Sequence, residues 1–588
     1  MKKIRLIRLC SVVGLIALAS CGGGGAGTTS TSTTSSASTS TTGTTSTNPG
    51  TGGNDGGASA SDNGAWLTFS PVTLTLPAGV AQPFVISANA SQNQPFSYAP
   101  VIVDSQGVTT GAVSFSSNYT VPPIIGAYKA FMTSSPNLPV GEYRGNFTFY
   151  LTDPIHTTSY PGSPWSIPYH ITINPRYVAH KLLPMETGVG FSSVPGWSRL
   201  SRSIAIRDNL AKSTVWSAHS DQSWLSVTPS GTTGGSGGTL TLNANPASLQ
   251  MDAISYATVT ITSSDSTVQP VEKIVVGLWR GSVTPQDASL PLTYSTIVAD
   301  PVAPLIYAAG TPGSIDVINT YTQQIVASIA TSLGGDSMTV SADGSMLYLL
   351  DTTGFKVGVI DLSARRQLTT WSLVQPLNRV IGHIKYIRPN GVGVVLIDDG
   401  QAYLASSGKE ISDATGLGGI NYAGQSTIAA SSDGRIVFSE NREMSPATIT
   451  RFDVDYSDTN GGTFVMQVMK QDDRGASYNG QQIATNTDGS RLYVASGSPY
   501  NTLQLDPLTL AAIGPLTGGI PYPSYVAVGS DGRVFSLFGY LLTVNAVDGT
   551  LLKSSYLNVN AYEMQISPDG ILAVVNSWGT LIFKPVSP

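Results

Sequence analysis

The sequence predicts an all-β protein: two β-sandwiches followed by a seven-bladed β-propeller. Three observations carry that prediction. Stretches such as "WLTFSPVTLTLPAG" (66–79) and "WSIPYHITINP" (165–175) alternate apolar and polar residues between Pro and Gly turns, the pattern of short half-buried strands. Residues 282–588 repeat a unit of about 40 residues, in which two strands flank an Asp-Gly turn and a third follows a loop. Charged residues make up only 11% of the chain and Tyr outnumbers Phe by 25 to 15, a balance that suits strands better than helices.

The N-terminus is read first. Lys2, Lys3, Arg5 and Arg8 form a basic head, and Leu9 to Ala19 are almost wholly apolar. That run falls short of the roughly 20 residues a membrane helix needs, so residues 1–20 are expected to be a secretory signal peptide. Leu18-Ala19-Ser20-Cys21 resembles the lipobox of bacterial lipoproteins. The resemblance implies cleavage before Cys21, palmitate-type acylation of its thiol and amine, and attachment to the membrane through that N-terminal acyl anchor. Gly22 in place of Asp implies the outer membrane, with the folded part facing the periplasm or the cell surface. Stable anchoring needs more than one acyl chain, which this processing supplies. Cys10 leaves with the leader, so no disulfide is expected in the mature chain.

Residues 21–64 are mostly Gly, Ser and Thr, too polar to bury a core, and are expected to form a tether reaching about 35–40 Å. The first sandwich is placed at 65–175. Its "LPVGEYRGNFTFYLTD" (138–153) and "IPYHITI" (167–173) resemble the last strands of bacterial immunoglobulin-like domains. The second sandwich is placed at 176–281. Trp216, the "SWLSV" strand with Trp224, the glycine-rich hairpin at 231–238 and "YATVTITSSD" (256–265) resemble the BACON family of small sandwiches. That resemblance implies carbohydrate or mucin binding and no catalytic motif, and makes Trp216 a candidate for stacking on a sugar. Trp224 reads as core, because its strand alternates.

In the propeller, Asp-Gly pairs begin at Asp343, Asp433, Asp488, Asp531 and Asp569. Asn390-Gly391 takes the matching place in one further copy, and a degenerate first copy surrounds 298–319. These pairs permit the positive φ angles of tight hairpins. Seven copies result. The last stops after three strands, and "SLPLTYS" (289–295) is expected to add the fourth and close the ring. The "SPDG" and "VID" repeats resemble the YVTN propellers, which are related to lactonase-like propellers.

Function is less well marked. Removing the leader leaves 26 Lys and Arg against 36 Asp and Glu, a net charge of −10, which excludes a basic nucleic-acid-binding surface. None of the five histidines has a partner at metal-ligand spacing, so neither metal nor cofactor is expected. "DVDYSDTNGG" (453–462) is rich in oxygen ligands but departs from calcium-loop spacing and reads as a turn. Tyr422, Tyr478, Tyr522, Tyr525 and Tyr562 stand just before innermost strands of successive repeats. They read either as a ligand-binding ring or as wedges between blades. The leading expectation is non-catalytic recognition of a glycan or an envelope protein. One alternative is a lactonase-like hydrolase using His383 and Arg379. The other is a scaffold for envelope assembly or secretion.

Overall fold

A computed structural model describes residues 66–79, 83–91, 101–109, 126–135, 137–151, 159, 162–174, 178–234, 238–310, 313–373, 381–411, 426–442, 445–457, 463–472, 478–518 and 522–586. The leader, Cys21 and the tether lie outside these residues. The fold is all-β, and among the described residues only two single 3₁₀ turns interrupt the strands.

The alternating segments pair as their pattern requires. Strands Leu67–Phe69, Pro83–Ala90 and Gly126–Thr133 make one sheet; Val72–Pro77, Trp165–Asn174, Gly141–Tyr150 and Val101–Asp104 make the other. Between them lie Trp66, Phe69, Phe84, Phe147, Phe149 and Trp165. The Trp66 and Trp165 rings meet edge to face, 6.2 Å apart. A separate core fills the second sandwich, between a six-stranded and a four-stranded sheet. Trp216 and Trp224 both belong to it, at 1% and 6% exposure.

Beyond residue 288 the chain forms successive antiparallel sheets. Their first strands are Thr296–Ala299, Ser337–Val340, Ile384–Ile387, Ser426–Ala430, Tyr478–Thr485 and Tyr525–Val528, and a seventh segment is the second half of Leu551–Ile566. Each of these seven neighbours the next, and the last returns to the first, so they line a closed ring. The final sheet holds six strands, because two are long enough to serve twice. Leu551–Ile566 pairs with Val534–Asn545 through residues 551–561 and with Leu572–Ser577 through residues 561–566. Closure is supplied by Ala288–Leu290, which pairs with Leu581–Phe583 of the last strand.

The Asp-Gly pairs build one turn many times over. At each, the glycine N–H donates to the carbonyl three residues back: Gly344 to Ser341, Gly434 to Ser431, Gly489 to Asn486, Gly532 to Gly529, Gly570 to Ser567. Gly391 does the same to Arg388. These glycines have φ between 69° and 82°. The aspartates do not share the positive φ the sequence suggested for both positions. Their carboxylates instead accept the N–H two residues on, as from Ser345, Arg435, Ser490, Arg533 and Ile571. The turn is a four-residue β-turn ended by a left-handed glycine and tied by its own side chain. Asp300 holds the first copy without a glycine, accepting from Val302 N–H, Ala303 N–H and Tyr307 O–H.

One carboxylate links the ends of the ring. Glu563 accepts from Thr296 O–H and Ile297 N–H of the first sheet and from the Asn576 amide of the last. Burial pushes its pKa up to about 7, against those same hydrogen bonds. A carboxyl with a raised folded-state pKa contributes stability fully below its unfolded value, and that contribution is lost as pH rises through the folded value. The melting temperature is therefore expected to fall between pH 5 and 8, and Glu563→Gln to flatten that fall. Equal pH profiles for the two proteins in thermal unfolding would contradict this assignment.

Candidate functional site

Two places in the molecule gather side chains that nothing in the fold alone requires. The first is the end of the ring where the Asp-Gly turns emerge. The second sandwich is seated on it, and glycines make the fit. A Cβ on Gly188 would stand 2.2 Å from the Ala342 carbonyl oxygen, on Gly190 2.5 Å from Pro568, and on Gly277 2.5 Å from the Val302 carbonyl oxygen. Each glycine lets sandwich backbone touch a different turn. Charges reinforce the seat: Arg199 pairs with Asp531 at 2.8 Å, Arg207 with Asp433 at 3.6 Å, and Glu272 with Arg388 at 2.5 Å. Trp279 stacks on Tyr321 at 5.7 Å, and the Tyr321 hydroxyl donates to Asp569. The turn aspartates thus have a second task beyond shaping turns. Beneath the seat, on the ring axis, lies a cavity of about 330 Å³.

The second place is at the opposite end. In an antiparallel sheet the turn between second and third strands leaves from the end opposite the first turn. Tyr500, between Leu492–Ser498 and Asn501–Leu505, and Trp578, between Leu572–Ser577 and Thr580–Pro585, sit at such turns, and Tyr540 lies within the long strand Val534–Asn545. Tyr500 touches Tyr522 at 4.2 Å between ring centres, Tyr522 touches Phe538 at 6.2 Å, Phe538 touches Tyr540 at 6.3 Å, and Tyr540 touches Tyr556 at 5.2 Å. Five rings therefore form one unbroken strip. Its tyrosines are 47% to 58% exposed. Trp578 is 76% exposed and packs on Tyr562 at 5.0 Å.

The tyrosines singled out from the sequence divide accordingly. Tyr522 belongs to the strip, in a left-handed conformation with φ 56°. Tyr525 is packed against the core of the last sheet, and burial pushes its phenol pKa up. Tyr562 donates its hydroxyl to the Tyr294 carbonyl at 2.6 Å, which fastens the ring closure. Tyr478 begins its strand opposite Ser498. Tyr422 and Arg379 lie outside the described residues. Trp216 is withdrawn from any surface: the glycine hairpin of the second sandwich covers it so closely that a Cβ on Gly231 would stand 2.4 Å from its ring. Sequence reading missed Tyr500, Phe538, Tyr540, Tyr556 and Trp578. The signal was present as aromatics at two such turns, Tyr500 and Trp578.

His383 lies at the same end as the strip, 3.4 Å from Asp398 through Nδ1. Asp398 is fully buried, and both its oxygens accept the Gly382 N–H. Among the described residues no three His, Cys, Asp or Glu side chains gather where they could hold a metal ion. In "DVDYSDTNGG" the Asp453 carboxylate is taken by Arg451 at 3.0 Å, and residues 458–462 lie outside the described residues.

Comparison with known proteins agrees with this picture for the second sandwich. Residues 198–272 match the family described as the Viral BACON domain. No curated protein matches the sequence. Among solved structures, hydrazine synthase of Kuenenia stuttgartiensis aligns with 52% of this chain and 98% of its own, at 12% identity and a TM-score of 0.36.

The seat yields a direct test. Gly188 has an ordinary φ, so Gly188→Ala changes only the contacts with Ala342 and the Val302 side chain. Overpacking of this kind costs about 1–3 kcal/mol. The variant is expected to melt earlier, and limited proteolysis is expected to cut between sandwich and ring, whereas Gly196→Ala, in an open turn with φ 77°, should leave that cleavage unchanged.

Proposed function

We infer that this protein recognises a glycan without transforming it, through the aromatic strip on the open end of its ring. The ring is read here as a seven-bladed propeller. The observation that carries the inference is the strip itself: five rings in succession, with tyrosines half exposed. A folded chain does not gain by exposing a contiguous aromatic surface unless something covers it. Tyrosine offers a flat apolar face for sugar C–H groups and a hydroxyl at its rim for their oxygens. The match of the second sandwich to a family of carbohydrate- and protein-binding type supports recognition as the activity. The buried Trp216 moves the surface from that sandwich to the ring.

The place of action follows from the N-terminal motif. Leu18 to Cys21 supports an acyl anchor in the outer membrane, and the polar segment to residue 64 a tether that holds the folded part away from the lipid. An envelope protein rather than a glycan is the second reading, favoured by the same aromatic exposure, since tyrosine and tryptophan dominate protein interfaces too.

The full-length protein is expected to bind soluble envelope polysaccharides in a glycan screen. Tyr540→Ala and Tyr556→Ala remove exposed side chains, so the fold should persist while affinity drops by about tenfold or more, equivalent to about 1.4 kcal/mol. Binding that survives both substitutions refutes the strip as the site. Absence of any polysaccharide binding, with an envelope protein captured in a Tyr540-dependent way, establishes the second reading.

A further inference from the structure

The axial cavity raises a question separate from the strip. It is walled by first strands and turns from all round the ring and roofed by Thr187 to Gly190 of the second sandwich. Among the described residues four charged side chains line it: Glu186, Arg202, Lys385 and Arg388. Three are matched. Glu186 and Arg202 pair at 2.5 Å, and Arg388 reaches Glu272 at 2.5 Å. Among the described residues Lys385, half-buried on strand Ile384–Ile387, has neither carboxylate nor hydrogen-bond partner, and burial alone pushes its pKa down. On the adjacent strand Thr339 accepts the Tyr386 N–H at 3.0 Å through its hydroxyl oxygen, which leaves the hydroxyl proton free to donate.

An unmatched ammonium held partly out of water costs stability, and a structural role would supply it with a partner. Among the described residues the fold pairs every other charge lining the cavity and leaves one cation over. We propose that the axial cavity binds a small oxyanion, a carboxylate or a phosphate, through the Lys385 ammonium and the Thr339 hydroxyl. The cavity volume is at the lower end for ligand sites, which limits the ligand to a molecule of about monosaccharide size. The sandwich roof makes the site composite: it exists only while the seat on the turns is intact. It is independent of the strip, which lies at the other end of the ring.

The test is isothermal titration calorimetry of the full-length protein with inorganic phosphate and, separately, with glucuronate. One-to-one binding of either is expected, with affinity reduced about tenfold or more in Lys385→Met and unchanged in Tyr540→Ala. Phosphate alone identifies an inorganic or ester phosphate as the ligand class, and glucuronate alone a sugar acid. Without anion, Lys385→Met should melt at the same temperature as the natural protein or higher, because an unmatched charge has gone. The proposal is overturned if neither oxyanion binds, if Lys385→Met binds equally well, or if that variant melts earlier without ligand.

Discussion

The contact of Gly188, Gly190 and Gly277 with three different turns is the constraint on which the rest of this structure depends. Gly188 and Gly277 meet turn carbonyls and Gly190 the Pro568 ring, so with no side chain on the sandwich strands the two parts approach closely. That closeness brings Arg199, Arg207 and Glu272 within reach of Asp531, Asp433 and Arg388. It also roofs the axial cavity and turns one end of the ring into an interior. The aromatic strip lies at the other end.

The repeated turn shows one residue serving two levels of structure. Each aspartate first ties its own turn by accepting a backbone N–H. Several then present their second oxygen outward. Asp531 and Asp433 meet arginines of the sandwich, and Asp569 accepts from Tyr321. A carboxylate held by backbone donors is fixed in place, which suits it to meet a cation across an interface.

Local features were legible in the sequence and remote ones were not. Alternation gave the strands around Trp66 and Trp165, because period two follows from backbone geometry alone. Glycine at the turns marked the repeats, because only that residue takes the required φ without strain. Even closure was readable, since three strands leave an edge that residues near 289 can fill. Trp216 misled, because an indole in a short strand looks the same whether a glycine hairpin covers it or not. The seat on the turns joins residues such as Arg199 and Asp531, which are hundreds of positions apart, and no local pattern announces it. The strip is assembled from Tyr500, Tyr522, Phe538, Tyr540 and Tyr556, which stand in different turns and strands, so no single local pattern marks it.

The closing strand is only three residues long and follows directly on the second sandwich. Pulled alone, so short a pairing would open like a zipper, one hydrogen bond at a time. Here a pull on the chain ahead of the sandwich reaches that strand only after the seat has yielded. The seat resists through three glycine contacts, three ion pairs and a stacked ring pair loaded together. The sandwich therefore acts as a strain relief, and the ring can carry a mechanical load that its own latch could not bear.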